Sequence, residues 1–449
     1  MQLAALNQKT PTPRAPLERA IGQVQATALV VGIIIGASIF VQPSEITREV
    51  APSIPAILLA WTAAGVISLA GALICAELAS AFPGTGGVYV FLRNTVSPAV
   101  GFLWGWAMFW TMHTGIIAAV AFINARYAAQ FLPLGETGIK VFGVGMIALL
   151  SFVNYFGVKH GSRLQAAFTI VKVGAILLLV VVGFAMVGGV PPRAASAATG
   201  EVPVSNFLRA VAAGLFAFGG WHMVTYSAEE THEPTRTLPR ALVLGMIIVI
   251  ICYLALNSLY LTVLPIEGLI ASQRVAADAA DVLFGSGGGT LMAGLVVFST
   301  IGALGGLILA GPRVYFAMAE DGIWPRWFAA VHPRYQTPHR AILLQGVWAC
   351  VLLTTGSYRA LFTRVIYTEW IFFALMALGL ILARRKPDYN PRYRVWGYPL
   401  VPAFFAIAAL AVVVNQIASD PIDSSIGLAI VLAGLPLYLW LSRKPRTTH

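Results

Sequence analysis

The sequence predicts an all-α membrane protein of about twelve transmembrane helices, built as two inverted five-helix repeats with broken helices 1 and 6, plus two peripheral helices. The helical membrane class rests on composition and on the apolar segments; the breaks rest on a pair of glycine-rich interruptions. Of 449 residues, 58% are hydrophobic and 10% charged, where a soluble domain carries about 25% charged residues. About twelve apolar segments are long enough to cross a bilayer at 1.5 Å per residue. Two of them, about 180 residues apart, are interrupted by small residues: Gly32 to Phe40 reads Gly-Ile-Ile-Ile-Gly-Ala-Ser-Ile-Phe, and Phe216 to His222 reads Phe-Ala-Phe-Gly-Gly-Trp-His. Glycine lowers helix stability by roughly 1 kcal/mol relative to alanine. Inside a bilayer an unwound stretch is tolerated only where protein or a cavity surrounds it. Paired interruptions of this kind mark a midplane binding site in carriers; Gly-xxx-Gly helix packing is the alternative for Gly32 and Gly36.

In chain order, 1–20 reads as a proline-containing cytoplasmic tail without a cleaved leader. The spans fall near 22–41, 55–81, 98–129, 139–157, 164–188, 206–228, 239–264, 289–318, 340–355, 361–383, 399–416 and 425–441. The repeats occupy 21–188 and 189–398, the peripheral helices 399–442, and 443–449 is a second tail. The loop 188–205 is Pro/Ala/Ser-rich, and 265–289 has room for a short helix around 276–284. With the N-terminus inside, about 19 of the 29 basic residues lie on the cytoplasmic side and about eight outside. This places both termini in the cytoplasm of a plasma (inner) membrane protein. The basic run Arg384 to Tyr398 reads as an anchor to anionic lipid. Cys75, Cys252 and Cys350 lie in apolar spans without metal-ligand spacing. No phosphate loop, zinc motif or basic–aromatic groove stands out, so no cofactor, metal or nucleic acid is expected.

The motifs, in order, resemble the amino acid–polyamine–organocation superfamily, and within it bacterial relatives of the L-type amino acid transporters. They are the glycine-rich start of span 1, Ala76-Glu-Leu-Ala79 with Pro83-Gly-Thr-Gly-Gly-Val-Tyr89, Asn154-Tyr-Phe-Gly-Val-Lys159, Ser227-Ala-Glu-Glu230, Tyr253-Leu-Ala-Leu-Asn257, Arg313 to Gly322, and Arg384-Arg-Lys-Pro-Asp388. The resemblance covers nearly the whole chain and implies the inverted-repeat fold. It departs at Ala37-Ser38, where relatives carry Ser-Gly.

An amino acid presents a carboxylate and an ammonium on one carbon, and a broken helix can serve both, with amides at one half-helix end and carbonyls at the other. The resemblance implies that amides around Gly36, Ala37 and Ser38 take the carboxylate, and carbonyls near Ile34 and of Phe216, Ala217 and Gly219 take the amine. It also implies that Phe216 closes over substrate, with Trp221 as a second gate residue; plain aromatic packing is the alternative for both. His222 is a cavity-lining candidate. His113 has a weaker claim, since a lone helix-interior histidine is more often a packing residue.

Lys172 lies nine residues past Arg163, roughly 13 Å into span 5. That is too deep for easy snorkelling, and intramembrane lysines are costly and usually functional. By resemblance it occupies a sodium position between spans 1, 5 and 8 and is a coupling residue, with a fixed strut as the alternative; its span-8 partner stays open. Glu369, about two turns into span 10, is a substrate or proton site. Glu77, Glu229 and Glu230 read as inner-gate residues, with Arg93, Lys159 and Arg163 as candidate partners.

The expected function is secondary transport of L-amino acids, most simply neutral ones, by exchange or proton-linked uptake. A cationic amino acid or polyamine carrier and a membrane sensor without transport are the alternatives; no enzyme set of residues is found. The external stretch Tyr127 to Gly138 has no cysteine, so no disulfide-linked heavy subunit is expected.

Overall fold

The computed structural model describes residues 17–36, 38–187, 201–285, 287–356 and 358–442. Among them every regular element is a helix, with one isolated bridge between Ile21 and Thr231. Nine helices are long and apolar enough to cross a membrane, and a bent pair, Gln23–Ile34 with Ser38–Val50, makes a tenth. His339–Thr355 has 17 residues, and Tyr358–Ala383 is the remaining apolar helix. Together these supply the twelve spans in the expected order. The two tails, apart from 17–20, lie outside the described residues, as do 188–200 and Ala37.

Span 1 differs from its expected limits for a chemical reason. Its first helix has 12 residues, about 18 Å, too short to cross alone. The second helix runs on to Val50 through Gln42, Ser44, Glu45, Thr47 and Arg48. Those residues are too polar for a hydropathy window, yet Gln42, Ser44 and Thr47 are buried in protein. The break is also narrower than Gly32 to Phe40. Gly32 sits inside regular helix, and a Cβ there would lie 2.2 Å from Thr169 Oγ1 and 2.4 Å from Gln165 Nε2. Gly32 is a close-approach residue against span 5.

Spans 1, 2, 3, 6 and 8 form the buried interior; spans 4, 5, 11 and 12 show one apolar face outward, as at Val141, Phe152, Val181 and Ile422. Against hydrocarbon such exposure carries no penalty. Span 7, Pro234–Val263, lies along span 2, Ile54–Ala81, and span 10 packs on span 11, Leu400–Ser419. Span 3 runs from Pro98 to Ala128 and contains a π-helical turn, Met108–Met112. Such a turn carries one extra residue, which re-aims the side chains beyond it. The loop after span 7 holds the short helix expected there, Val275–Phe284, and a second, Ile266–Ala271.

Candidate functional site

The first helix of span 1 ends in an inverse γ-turn. Ile35 has φ −74° and ψ 74°, and the Gly36 amide donates to the Ile34 carbonyl at 2.8 Å. The Gly36 amide is therefore already engaged, and the next helix starts at Ser38, its first-turn amides lying beyond the reach of intrahelical carbonyls. Ala37 lies outside the described residues.

Span 6 breaks opposite. Helix Val204–Ala217 stops, the Gly219 amide bonds the Phe216 carbonyl at 2.9 Å, and Gly220 adopts φ 99°. A side chain on Gly220 would be strained in that conformation and would meet Ile33 Cγ2 at 2.6 Å. The chain resumes as a 3-10 helix, Trp221–Glu230.

Tyr253 of span 7 joins the two breaks. Its hydroxyl lies 2.9 Å from the Ile34 carbonyl and 3.0 Å from the Ala217 carbonyl, and Ser38 Oγ lies 3.4 Å from the same Ala217 oxygen. A single phenolic proton faces two carbonyls, so the junction is rich in acceptors. Tyr253 is visible in the sequence only as part of a motif; nothing in local pattern points it at the breaks.

A cavity with about 700 Å³ of free space, its open mouth included, lies beside this junction. Ile34, Gly36, Ser38, Phe216, Gly219, Trp221 and Glu369 line it, with Ile116 and Val120 of span 3 and Trp370 and Phe373 of span 10. Ala217 faces it only through the junction. His222 is fully buried away from the lining, in an aromatic cage of Trp104, Trp221, Tyr226 and Phe373 with ring centroids 4.9–5.7 Å away. His113 bonds the Leu307 carbonyl at 2.8 Å through Nε2 and ties span 3 to span 8, as does Asn124 through Thr300 at 2.7 Å. Glu369 is 6% exposed, and its Oε1 has no hydrogen-bond partner.

Lys172 is fully buried behind the span-1 break. Its Nζ donates to the carbonyls of Ile35 at 2.6 Å, Gly32 at 2.8 Å and Ser299 at 3.3 Å. The span-8 partner is thus the backbone of Ser299, whose hydroxyl also reaches Ile35 at 3.4 Å. Three converging carbonyls on one cation resemble an ion site, with the ammonium as occupant.

The face carrying the N-terminus is closed by ion pairs whose partners differ from those expected. Glu77 pairs bidentately with Arg384 at 2.5 and 2.8 Å and also accepts from the Val395 amide. Glu230 pairs with Arg313 at 2.9 and 3.1 Å, both side chains buried. Arg93 pairs with Asp321, which Tyr89 also contacts. Glu229 accepts from the Thr85 amide at 3.3 Å. For Glu77 and Glu230 the partners are Arg384 and Arg313, which only the tertiary fold brings together with them. Arg384 therefore clasps its loop to span 2, while Arg385, Arg392 and Arg394 stay exposed on the same segment.

Helices broken at facing points beside a cavity closed on one side define a membrane carrier. Residues 21–441 match the amino acid permease family. The serine/threonine exchanger SteT of Bacillus subtilis (strain 168) is 30% identical over 95% of this chain and 98% of its own length. The human cystine/glutamate transporter is 28% identical over 99% and 90%. The human large neutral amino acids transporter small subunit 2 is 29% identical over 96% and 82%. The chain belongs to the amino acid permease family, within the amino acid–polyamine–organocation superfamily; it is a multi-pass amino acid transporter rather than an enzyme.

Proposed function

We infer that the chain exchanges L-amino acids, small neutral ones among them, across the plasma membrane, with both termini in the cytoplasm. The observation that carries this is the meeting of the two helix breaks at Tyr253 beside one cavity. A helix starts at Ser38, whose first turn lacks intrahelical amide partners, and acceptors cluster at Ile34 and Ala217. One end suits a carboxylate and the other an ammonium, which selects for the α-amino acid unit before any side chain is read. Phe216 and Trp221 border the cavity and serve as gate residues. Lys172 holds the first break against span 8, where the loss of its contacts with one half-helix would accompany the rocking of that half. The two repeats would be 21–188 and 189–398, each opening with its broken span.

Exchange is supported by the exchanger among the relatives, and cytoplasmic termini by the excess of basic residues on that side. With no cysteine between Tyr127 and Gly138, the carrier is proposed to work without a disulfide-linked subunit, and its band should run at the same position with and without reductant. The test is uptake of labelled serine, alanine and leucine into proteoliposomes with and without internal amino acid. Uptake that depends on internal substrate supports exchange. Uptake of none of them, under any gradient, sinks the transport reading.

A further inference from the structure

We propose that Glu369 makes each substrate cross with one positive charge at its side-chain end: the ammonium of a cationic amino acid, or a proton accompanying a neutral one. This rests on the amino acid exchange reading and adds a substrate class and a stoichiometry to it.

Glu369 projects from span 10 into the cavity that the two breaks border, 6% exposed, with Oε1 buried and unpartnered. Among the described residues no lysine or arginine lines that cavity. Two buried cations of the interior are already engaged, Lys172 by three carbonyls and Arg313 by Glu230. Among the described residues, the ionisable groups around Glu369 supply no fixed positive charge. Span 6 contributes Tyr226, whose electrostatic neighbours include Cys75 of span 2 and Tyr315 of span 8. It also contributes His222, packed on Phe373 and near His113 of span 3. The first break contributes the neutral Ser38. An ionised carboxylate left alone in such a place is costly. Either a proton or a substrate cation relieves that cost. The aromatic part of the wall is Phe216, Trp221, Trp370 and Phe373, and Ile116, Val120 and Leu307 are among its aliphatic residues; aromatic faces attract an ammonium and also pack an aliphatic chain.

The charge count follows. A neutral amino acid is a zwitterion of net charge zero and takes one proton on the Glu369 carboxylate. Lysine carries its own single positive charge and needs the carboxylate ionised. Exchange of external lysine for internal neutral substrate is then electrically silent and moves one proton outward with each neutral molecule.

The probes are lysine and norleucine, which share a carbon chain and differ in the terminal ammonium. Proteoliposomes of the full chain are loaded with norleucine and a lumenal pH dye, and labelled lysine is added outside. The expected result is lumenal alkalinisation by one proton per lysine entering, unchanged when the membrane potential is clamped. Across a pH series the half-saturation concentration for norleucine rises with pH, approaching about tenfold per unit once Glu369 is largely ionised, and that for lysine falls. Glu369→Gln is expected to reduce the lysine-to-norleucine uptake ratio at least tenfold and to flatten the norleucine profile; His222→Gln keeps the opposed slopes. Lysine entry without a lumenal pH change, exclusion of lysine while norleucine still exchanges, or an unchanged ratio in Glu369→Gln would each overturn the proposal and leave amino acid exchange standing. Failure of both probes and of serine, alanine and leucine would bring down both readings. Should Glu369→Gln not fold, the lumenal pH trace of the natural protein decides alone.

Discussion

Tyr253 and Lys172 do for the span-1 break what regular helical hydrogen bonds do elsewhere. Between them they engage the carbonyls of Gly32, Ile34 and Ile35. Tyr253→Phe should cost about 1 kcal/mol, the net worth of one hydrogen bond, visible as a lower unfolding midpoint in detergent. An unchanged midpoint would mean the hydroxyl does not bridge the breaks. Lys172→Ala removes three bonds to buried carbonyls and should cost more, about 2–3 kcal/mol, because those bonds are charge-assisted. If the ammonium stands in for a metal cation, added sodium should recover part of that loss in the alanine variant and none in the parent; equal response in both would remove that equivalence. At this scale the sequence shows residue types but not partners. Lys172 stood out because charge inside a membrane is expensive. Ser299 did not, because its contribution is a backbone oxygen that any residue could offer. The family resemblance made His222 a cavity-lining candidate, but the left-handed Gly220 and the 3-10 turn that follows put its ring in the aromatic cage.

The helix breaks belong to the scale of elements. Both were legible in the sequence as glycine-containing interruptions, yet the glycines do different work. Gly32 gives span 5 room to approach, whereas Gly220 holds a left-handed backbone. Gly220→Ala should therefore be among the most damaging single-methyl changes in the chain, combining backbone strain with a clash against Ile33. A loss of folded protein on size-exclusion chromatography, or of exchange in what folds, is the expected outcome; near-normal exchange would show that the turn can take another geometry. The polar second half of span 1 escaped the hydropathy reading because Gln42, Ser44 and Thr47 are buried against protein rather than lipid. The π-turn in span 3 left no signal either, since a single extra residue does not disturb an apolar run 31 residues long.

At the scale of the whole molecule, the described state is shut on the face that carries the N-terminus. The Glu230–Arg313 pair is its most buried ionic contact. Removing one partner from a buried pair strands a charge and costs about 3–5 kcal/mol. Arg313→Met should therefore weaken closure and lower the unfolding midpoint, with Glu230→Gln in the same chain restoring part of it. A double variant no more stable than Arg313→Met would mean the pair is not coupled. The overall class and the order of spans could be read from composition and hydropathy. The identity of the gate pairs could not, because Glu77 and Arg384 are 307 residues apart. The same face carries a further contact of a different kind. The amides of Ala20 and Ile21 both reach the Glu230 carbonyl at 3.0 Å, and the His232 amide returns to Ile21 at 2.9 Å. The leading segment is thus stitched by its backbone to the end of span 6, and that stitch must be unpicked whenever this part of span 6 moves away from it. Wherever the leading segment stays behind in that motion, three backbone bonds have to be broken and re-formed in each cycle.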